Sequence, residues 1–171
     1  MTAPDARETT RTTTSTHVER TSDREFVVTR TFNAPAGLVF DAWTRPELIM
    51  RWWAPESFGI TFISCEADVR TGGSYRFVFG HPASEQPAEF FGRYLEVMPG
   101  ARLVWTNDEA GEAGSITTVT FEARGEATLV VVHELYPTKE ALDEAVASGS
   151  TMGFVEMFEQ LDLVLAGLEA G

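Results

Sequence analysis

Hydrophobic and polar positions near the start of the chain follow first a strand period and then a helix period. The stretch REFVVTRTFNAP alternates with period two, which places Phe26, Val28, Arg30 and Phe32 on one face of a strand. The following stretch, AGLVFDAWTRPELIMRWW, has its apolar residues at helical spacing. It predicts two short helices, the second beginning at Pro46, because proline suits the first turn of a helix.

The middle of the chain returns to period two, and the C-terminal part changes to helical spacing again. Six segments predict strands separated by turns, namely GITFISCEADV, SYRFVFG, EFFGRYLEVMP, GARLVWTND, SITTVTFEARG and EATLVVVHEL. The closing segment GFVEMFEQLDLVLAGL repeats its apolar residues every three or four positions and predicts one long amphipathic helix. Antiparallel strands can leave one face of a sheet in water and bury the other, and this helix would cover the buried face.

The order of these elements predicts an α+β fold. About six to seven antiparallel strands form a curved sheet around the long C-terminal helix, and two short helices follow the first strand. A strongly curved sheet that grips a helix leaves a gap between them, and we expect this gap to be a cavity.

The N-terminal residues differ in composition from the rest of the chain. Residues 1–23 are rich in Thr, Arg, Asp and Glu and poor in large apolar side chains, which predicts a mobile arm. Residues 24–171 are then one domain.

The charge of the chain excludes some partners. The 171 residues carry a formal net charge of −13, which repels phosphate backbones, so nucleic acid is a poor partner. No apolar run approaches the roughly 20 residues needed to span a bilayer, and no apolar signal-peptide core stands at the N-terminus. With a single cysteine, Cys65, the chain suits a reducing compartment, and we predict a cytoplasmic protein. The three histidines and one cysteine show no ligand spacing, so neither a metal nor a cofactor is predicted.

Five stretches together resemble one known family. RTFNAPAGLVFDAWTRPELIMRWWAP, DVRTGGSYRF, GRYLEVMPGARLVWT, TTVTFEARGEATLVVVHEL and GFVEMFEQLDLVLAGL are similar, in that order, to the activator of 90-kDa heat-shock protein ATPase homologue (AHSA1-like) family. This family belongs to the START-like (SRPBCC) helix-grip superfamily, together with the birch pollen allergens and the polyketide cyclases. The similarity extends over about residues 25–168.

The resemblance implies a helix-grip fold and a cavity between the sheet and the long helix. It also implies ligands of the kind that superfamily members bind, which are lipids, sterols, polyketides and other small apolar molecules. The eukaryotic namesake stimulates a chaperone ATPase, but it carries an additional chaperone-binding domain for which this chain has no room, so that activity is not inferred from the name.

Candidate site residues are aromatic or polar side chains that the pattern directs toward the cavity. Trp52 and Trp53 are adjacent on a helix and point about 100° apart, so we expect one in the core and the other in the cavity wall, without choosing between them. If the strand face of Leu129 and Val131 points at the helix, His133 looks into the cavity, where it is either a hydrogen-bonded core histidine or a catalytic acid or base. Arg30 is either half of a structural ion pair or an anchor for a ligand carboxylate.

The predicted ligand-binding set is Trp52, Trp53, Tyr75, Phe77, Tyr94, Trp105, His133, Phe154, Phe158 and Arg30. No catalytic residue and no metal ligand is assigned. The function hypothesis is a carrier or sensor of a small apolar ligand that is aromatic, lipid-like or polyketide-like. The alternatives are a cyclase- or hydrolase-type enzyme that uses the same cavity and an interaction module that regulates a chaperone. A homodimer and a protein partner stay open at this point.

Overall fold

The computed structural model describes residues 16–108, 114–149 and 151–170. Within these ranges the strands are β1 His17–Arg20, β2 Glu25–Phe32, β3 Thr61–Ala67, β4 Ser74–His81, β5 Ser84–Met98, β6 Arg102–Thr106, β7 Ile116–Arg124 and β8 Ala127–Leu135. The α-helices are α1 Ala36–Thr44, α2 Pro46–Ile49, α3 Lys139–Ala147 and α4 Gly153–Ala170, and a 3₁₀ turn covers Glu56–Phe58.

The strands form one antiparallel sheet in the order β1-β2-β8-β7-β6-β5-β4-β3. The α+β class and the sheet around a C-terminal helix are confirmed, and the sheet has eight strands where about six to seven were predicted. The additional strand is β1, which pairs with β2 at the edge of the sheet. It lies inside the segment that the composition assigned to a mobile arm, so that boundary is corrected: β1 makes backbone hydrogen bonds that composition does not encode. Residues 1–15 lie outside the described residues.

The core lies between the inner face of the sheet and α4. Phe158, Leu161 and Leu165 of α4 are at most 2% exposed and form its buried stripe. Phe158 meets Phe32 of β2 edge-on, with ring centroids 5.4 Å apart. The short helix α1 packs against β7 and α4 and closes one end of this layer. No helix among the described residues is long and apolar enough to cross a bilayer.

Irregular strand pairing bends the sheet around α4. The register shifts between Phe62 and Ser64 in β3, and again between Tyr94 and Glu96 in β5. Such bulges kink a strand and increase its local twist. The bulges therefore mark bends in the half of the sheet that is formed by β3, β4 and β5.

A candidate ligand cavity at one end of the sheet

A cavity of about 650 Å³ lies between the segment after α2, the far ends of β4 and β5, the helix α3 and the first turns of α4. Its size falls within the roughly 300–1,000 Å³ typical of small-molecule sites. The apolar wall is formed by Trp53, Ala54, Pro55, Phe58, Ile60, Phe79, Phe90, Pro137, Ala141, Ala145, Phe154 and Met157. The polar lining residues are Asn107, Ser115, Glu134, Tyr136, Glu144, Ser148 and Thr151.

The two adjacent tryptophans divide between the core and this wall. Trp52 is 1% exposed, and its indole Nε1 donates a hydrogen bond to the carbonyl oxygen of Ala42 at 2.9 Å. Trp53 is only partly buried and lines the cavity. Its ring also contacts Trp43 and Phe77 at centroid distances of 6.1 and 5.6 Å. Trp52 is therefore a core residue, and Trp53 is the member of the pair that lines the cavity.

Gln160 of α4 holds the backbone next to Trp53 in place. Its Nε2 donates to the carbonyl oxygens of Trp52 and Ala54 at 3.0 and 3.1 Å, and its Oε1 accepts from the amide of Glu56 at 2.8 Å. Ala54 has φ +96°, an unusual value for a residue with a side chain. Such a conformation costs of order 1–3 kcal/mol and persists only where the surroundings enforce it. The three hydrogen bonds of Gln160 hold the backbone around Ala54 in this conformation at the cavity wall.

Glu156, one turn before Gln160, makes a second attachment. Its carboxylate accepts hydrogen bonds from the amide and the hydroxyl of Ser57. These bonds lower the pKa of Glu156 because they stabilise its charged form. Glu156 and Gln160 are four residues apart in GFVEMFEQ, so the sequence alone places them on one face of the helix. It does not show that this face binds the segment after α2. These two residues were missing from the predicted site.

The Glu156 attachment predicts a pH-dependent contribution to stability. A carboxylate whose pKa is depressed in the folded protein stabilises it above the ordinary value of 4.5, and this stabilisation is lost as the pH falls through the folded-state pKa. We expect Glu156→Gln to lower the free energy of unfolding at pH 7, and the deficit to shrink below about pH 4.5. Urea unfolding at several pH values measures this. Glu126→Gln, in an exposed turn, is the control, and an equal and pH-independent deficit in both variants would contradict the assignment.

His133 lies on the opposite face of β8 from the cavity. The buried residues of this strand are Thr128, Val130 and Val132, so the inward face is the one that continues to Glu134. His133 Nε2 lies 2.7 Å from Glu25 Oε2 on the outer side, and this bond lowers the pKa of Glu25. The prediction that His133 looks into the cavity is wrong. Both faces of TLVVVHEL are apolar, so alternation alone could not choose between them.

Arg30 and Phe158 belong to the core and do not line the cavity. The Arg30 guanidinium donates to the Thr16 hydroxyl at 3.0 Å, and its Nη2 lies 3.4 Å from Asp162 Oδ2. Burial lowers the pKa of Arg30, and the Asp162 carboxylate partly offsets this effect. The structure thus pairs Arg30 with a helix carboxylate, which is the first of the two roles predicted for it.

Four other predicted residues surround a much smaller space. Tyr75, Phe77, Tyr94 and Trp105 line a void of about 20 Å³ together with Trp53, Trp43 and Ile49. This is room for about one water molecule. The Tyr75 hydroxyl donates to the carbonyl oxygen of Thr106 at 2.7 Å, and burial raises the pKa of Tyr94. Of the predicted set, Trp53 and Phe154 therefore line the large cavity, and these four form the packed floor behind Trp53.

Metal binding and nucleophilic attack by the single cysteine both find little support in the structure. No group of three or more His, Cys, Asp or Glu side chains that could hold a metal ion occurs among the described residues. Burial, followed by the charges of Glu47 and Glu66, raises the pKa of the Cys65 thiol to about 11. The thiol is therefore neutral near pH 7 and a poor nucleophile.

An antiparallel sheet wrapped around a long C-terminal helix, with a cavity at one end, defines the helix-grip class of proteins. The family model of activator of Hsp90 ATPase homolog 1-like proteins matches residues 33–166, so the chain belongs to this family. A comparison with curated proteins gives no match.

Solved structures agree with the fold. The chain is similar to a Rhodobacter sphaeroides protein (23% identity, TM-score 0.81, covering 90% of this chain and 99% of that one). It is similar to a Nitrosomonas europaea protein at 21% identity and TM-score 0.80, covering 89% of this chain and 100% of that one. An AHSA1-like protein from Aeromonas hydrophila matches at 20% identity and TM-score 0.65, covering 85% of this chain and 96% of that one.

Proposed function

We propose that the protein binds a small, largely apolar ligand in the 650 Å³ cavity and acts as its carrier or sensor. The observation that carries this proposal is the aromatic wall, which several separate parts of the fold supply. Trp53 comes from the segment after α2, Phe79 from β4, Phe90 from β5 and Phe154 from α4. Convergent aromatic side chains around an open volume are the usual lining of a small-molecule site.

A ligand would cover apolar surface that the protein alone leaves in contact with water. Phe58 and Phe90 are 42% and 40% exposed, and both line the cavity. Burial of apolar surface is favourable by about 25 cal/mol per Å². The exposed part of this wall therefore supports occupation by an apolar molecule.

The geometry favours binding over acid–base catalysis by the residues that the sequence suggested. His133 points to the other side of the sheet, and Arg30 is engaged with Thr16 and Asp162. Neither side chain lines the cavity. A cyclase or hydrolase that uses His133 or Arg30 in this cavity therefore has no geometric support.

A cavity-filling substitution tests the proposal. Ala145 of α3 lines the cavity, whereas Ala147 of the same helix is exposed and does not. A phenylalanine at position 145 would occupy ligand space, because its ring adds bulk to a site that now holds only a methyl group. We expect Ala145→Phe to weaken binding by about tenfold or more, a loss of about 1.4 kcal/mol, and Ala147→Phe to leave it unchanged.

The measurement is calorimetric titration with neutral apolar compounds, namely naphthylethanol, a long-chain alcohol and a planar polyketide-like phenol. Quenching of Trp53 fluorescence reports the same event, because Trp53 is the tryptophan in the wall of the large cavity. Thermal unfolding of both variants verifies that they are folded. If no compound binds, or if Ala145→Phe binds as tightly as the unmodified protein, the cavity is not the site.

A further inference from the structure

We propose that the polar end of the ligand is a neutral hydroxyl or carbonyl group, and that it binds in the small void behind Trp53, where it meets the Tyr94 hydroxyl. This inference rests on the proposed function, because it names the chemical class of the same ligand and a second subsite for it. It is carried by the position of the void next to the cavity and by two polar groups that border the void.

The void shares one wall with the large cavity. Trp53 lines both spaces. The other residues around the void are Trp43, Ile49, Tyr75, Phe77, Tyr94 and Trp105. Its volume of about 20 Å³ is room for about one water molecule. A terminal oxygen of a ligand has about the size of a water molecule, so this oxygen fits the void while the apolar body of the ligand stays in the large cavity.

Two hydrogen-bonding groups of residues that line the void lack a partner among the described residues. Trp43 is 4% exposed, and its indole Nε1 is buried without an acceptor. Tyr94 is also 4% exposed, and its hydroxyl makes no hydrogen bond within the described part of the chain. Buried polar groups are nearly always hydrogen-bonded, so two unpaired groups at one void indicate a partner that the protein itself does not supply.

The chemistry of these two groups favours a neutral oxygen. An indole N–H only donates, whereas a tyrosine hydroxyl both donates and accepts. A hydroxyl or carbonyl oxygen can accept from both, but an ammonium group has no lone pair to offer the indole of Trp43. Burial raises the pKa of Tyr94, so its hydroxyl is protonated near pH 7. The residues that line the void are all uncharged, so an ionised ligand group would lose its hydration there without gaining a counter-charge.

The side chain of Trp53 separates the two spaces without being fixed by a hydrogen bond. The indole of Trp52 donates to a backbone carbonyl, whereas the indole of Trp53 makes no hydrogen bond among the residues that the structure describes. The backbone on both sides of Trp53 is held by Gln160, which donates to the carbonyl oxygens of Trp52 and Ala54. Rotation of this one side chain therefore opens the void to the cavity, and the aromatic body of the ligand replaces the ring contacts that are lost.

Three naphthyl compounds and one substitution test the role of Tyr94. The compounds are naphthylethanol, acetonaphthone and ethylnaphthalene, which carry a hydroxyl, a carbonyl and no polar group, and they are titrated at pH 7 by calorimetry. We expect Tyr94→Phe, which removes only the hydroxyl, to weaken the alcohol and the ketone about fivefold to tenfold. We expect it to change the affinity for the hydrocarbon by less than about twofold, and retained hydrocarbon binding shows that the variant is folded and its cavity intact.

The matched control is Tyr136→Phe. Tyr136 lines the large cavity but not the void, so we expect this variant to change the affinity for each of the three compounds by less than about twofold. A loss of alcohol and ketone affinity in Tyr136→Phe, with none in Tyr94→Phe, overturns the inference, because the polar end of the ligand would then lie in the large cavity.

A charged pair of compounds tests the preference for a neutral group. We expect naphthylethylamine and naphthylacetate each to bind at least about tenfold more weakly than naphthylethanol, because either charge would be buried among uncharged residues. Binding of either ion as tight as that of the alcohol contradicts the assigned ligand class.

The rate of binding tests the part played by Trp53. Binding that needs a conformational change is slowed, so we expect Trp53→Ala to bind naphthylethanol at least about threefold faster in stopped-flow measurements that follow naphthyl fluorescence. An unchanged association rate means that Trp53 does not separate the void from the cavity, and this overturns the proposed route.

The outcomes distinguish this inference from the function on which it rests. Binding of all three uncharged compounds, with alcohol and ketone affinity unchanged in Tyr94→Phe, overturns the inference and leaves the cavity function standing. An equal loss for all three in Tyr94→Phe also overturns it, because Tyr94 would then only shape the floor behind Trp53. Absence of binding by all three compounds to the unmodified protein overturns both.

Discussion

Replacing Trp52 by alanine lowers the free energy of unfolding by about 3–5 kcal/mol, the usual cost of removing a large buried aromatic side chain. Trp52 is 1% exposed and packs against Trp43 and Phe158 at centroid distances of 4.7 and 6.4 Å. The substitution also removes the indole donor to the Ala42 carbonyl oxygen. The free energy of unfolding of native proteins is only about 5–15 kcal/mol in total, so this single substitution removes a large part of it.

The same substitution at the adjacent Trp53 has a different effect. Because Trp53 is partly buried and lines the cavity, we expect Trp53→Ala to cost about 1–3 kcal/mol and to abolish ligand-induced quenching. Urea unfolding followed by far-ultraviolet circular dichroism measures stability independently of the lost fluorophores.

A milder variant keeps the comparison measurable if Trp52→Ala does not fold. Trp52→Phe retains an aromatic ring but leaves the Ala42 carbonyl without its indole donor, which costs about 1–3 kcal/mol. If Trp53→Ala proved as destabilising as Trp52→Ala, with ligand binding unchanged, the division of the pair between core and wall would be wrong.

Replacing Gly92 by alanine destabilises the protein by about 3 kcal/mol or more, at the upper end of overpacking costs. A Cβ at position 92 would lie 2.0 Å from the carbonyl oxygen of Thr106, which is a backbone atom. The strand β6 would have to move. This movement would disturb the hydrogen bond from the Tyr75 hydroxyl to that oxygen and the bond from the Arg93 amide to the Thr106 hydroxyl.

The matched control is Gly37→Ala in α1. No atom lies within 4 Å of a Cβ built at position 37, and alanine in a helix is better than glycine by roughly 0.5–1 kcal/mol. We therefore expect a small gain in the thermal midpoint at position 37 and a large loss at position 92. A similar shift of both midpoints would mean that β5 and β6 can separate at little cost, contrary to the close approach at Gly92.

Sequence periodicity predicted most of the fold because the two regular structures repeat with different periods. The alternation in REFVVTRTF and the helical repeat in GFVEMFEQLDLVLAGL were long enough to distinguish strand from helix. The strand β1 was missed because its four residues carry little apolar pattern and are held by pairing with β2.

The candidate site was harder to predict, because periodicity places residues on faces and does not say which face is inside. Trp53 and Phe154 were predicted and do line the cavity, whereas Glu134 was passed over in favour of its neighbour His133. In a strand with two apolar faces, a shift of one residue exchanges the inward and outward sets without changing the pattern. The residues that hold the wall, Gln160 and Glu156, act on a segment about a hundred positions away along the chain.

What the amino-acid sequence by itself determined is the order and type of the elements other than β1, the helix-grip class and the acidic character of the chain, since these depend on local period and composition. Only the tertiary structure decided which tryptophan belongs to the core, which face of β8 meets the cavity and how the segment 52–57 is attached to α4. These outcomes depend on contacts between distant residues, and such contacts are set by the packing of the sheet against the helix.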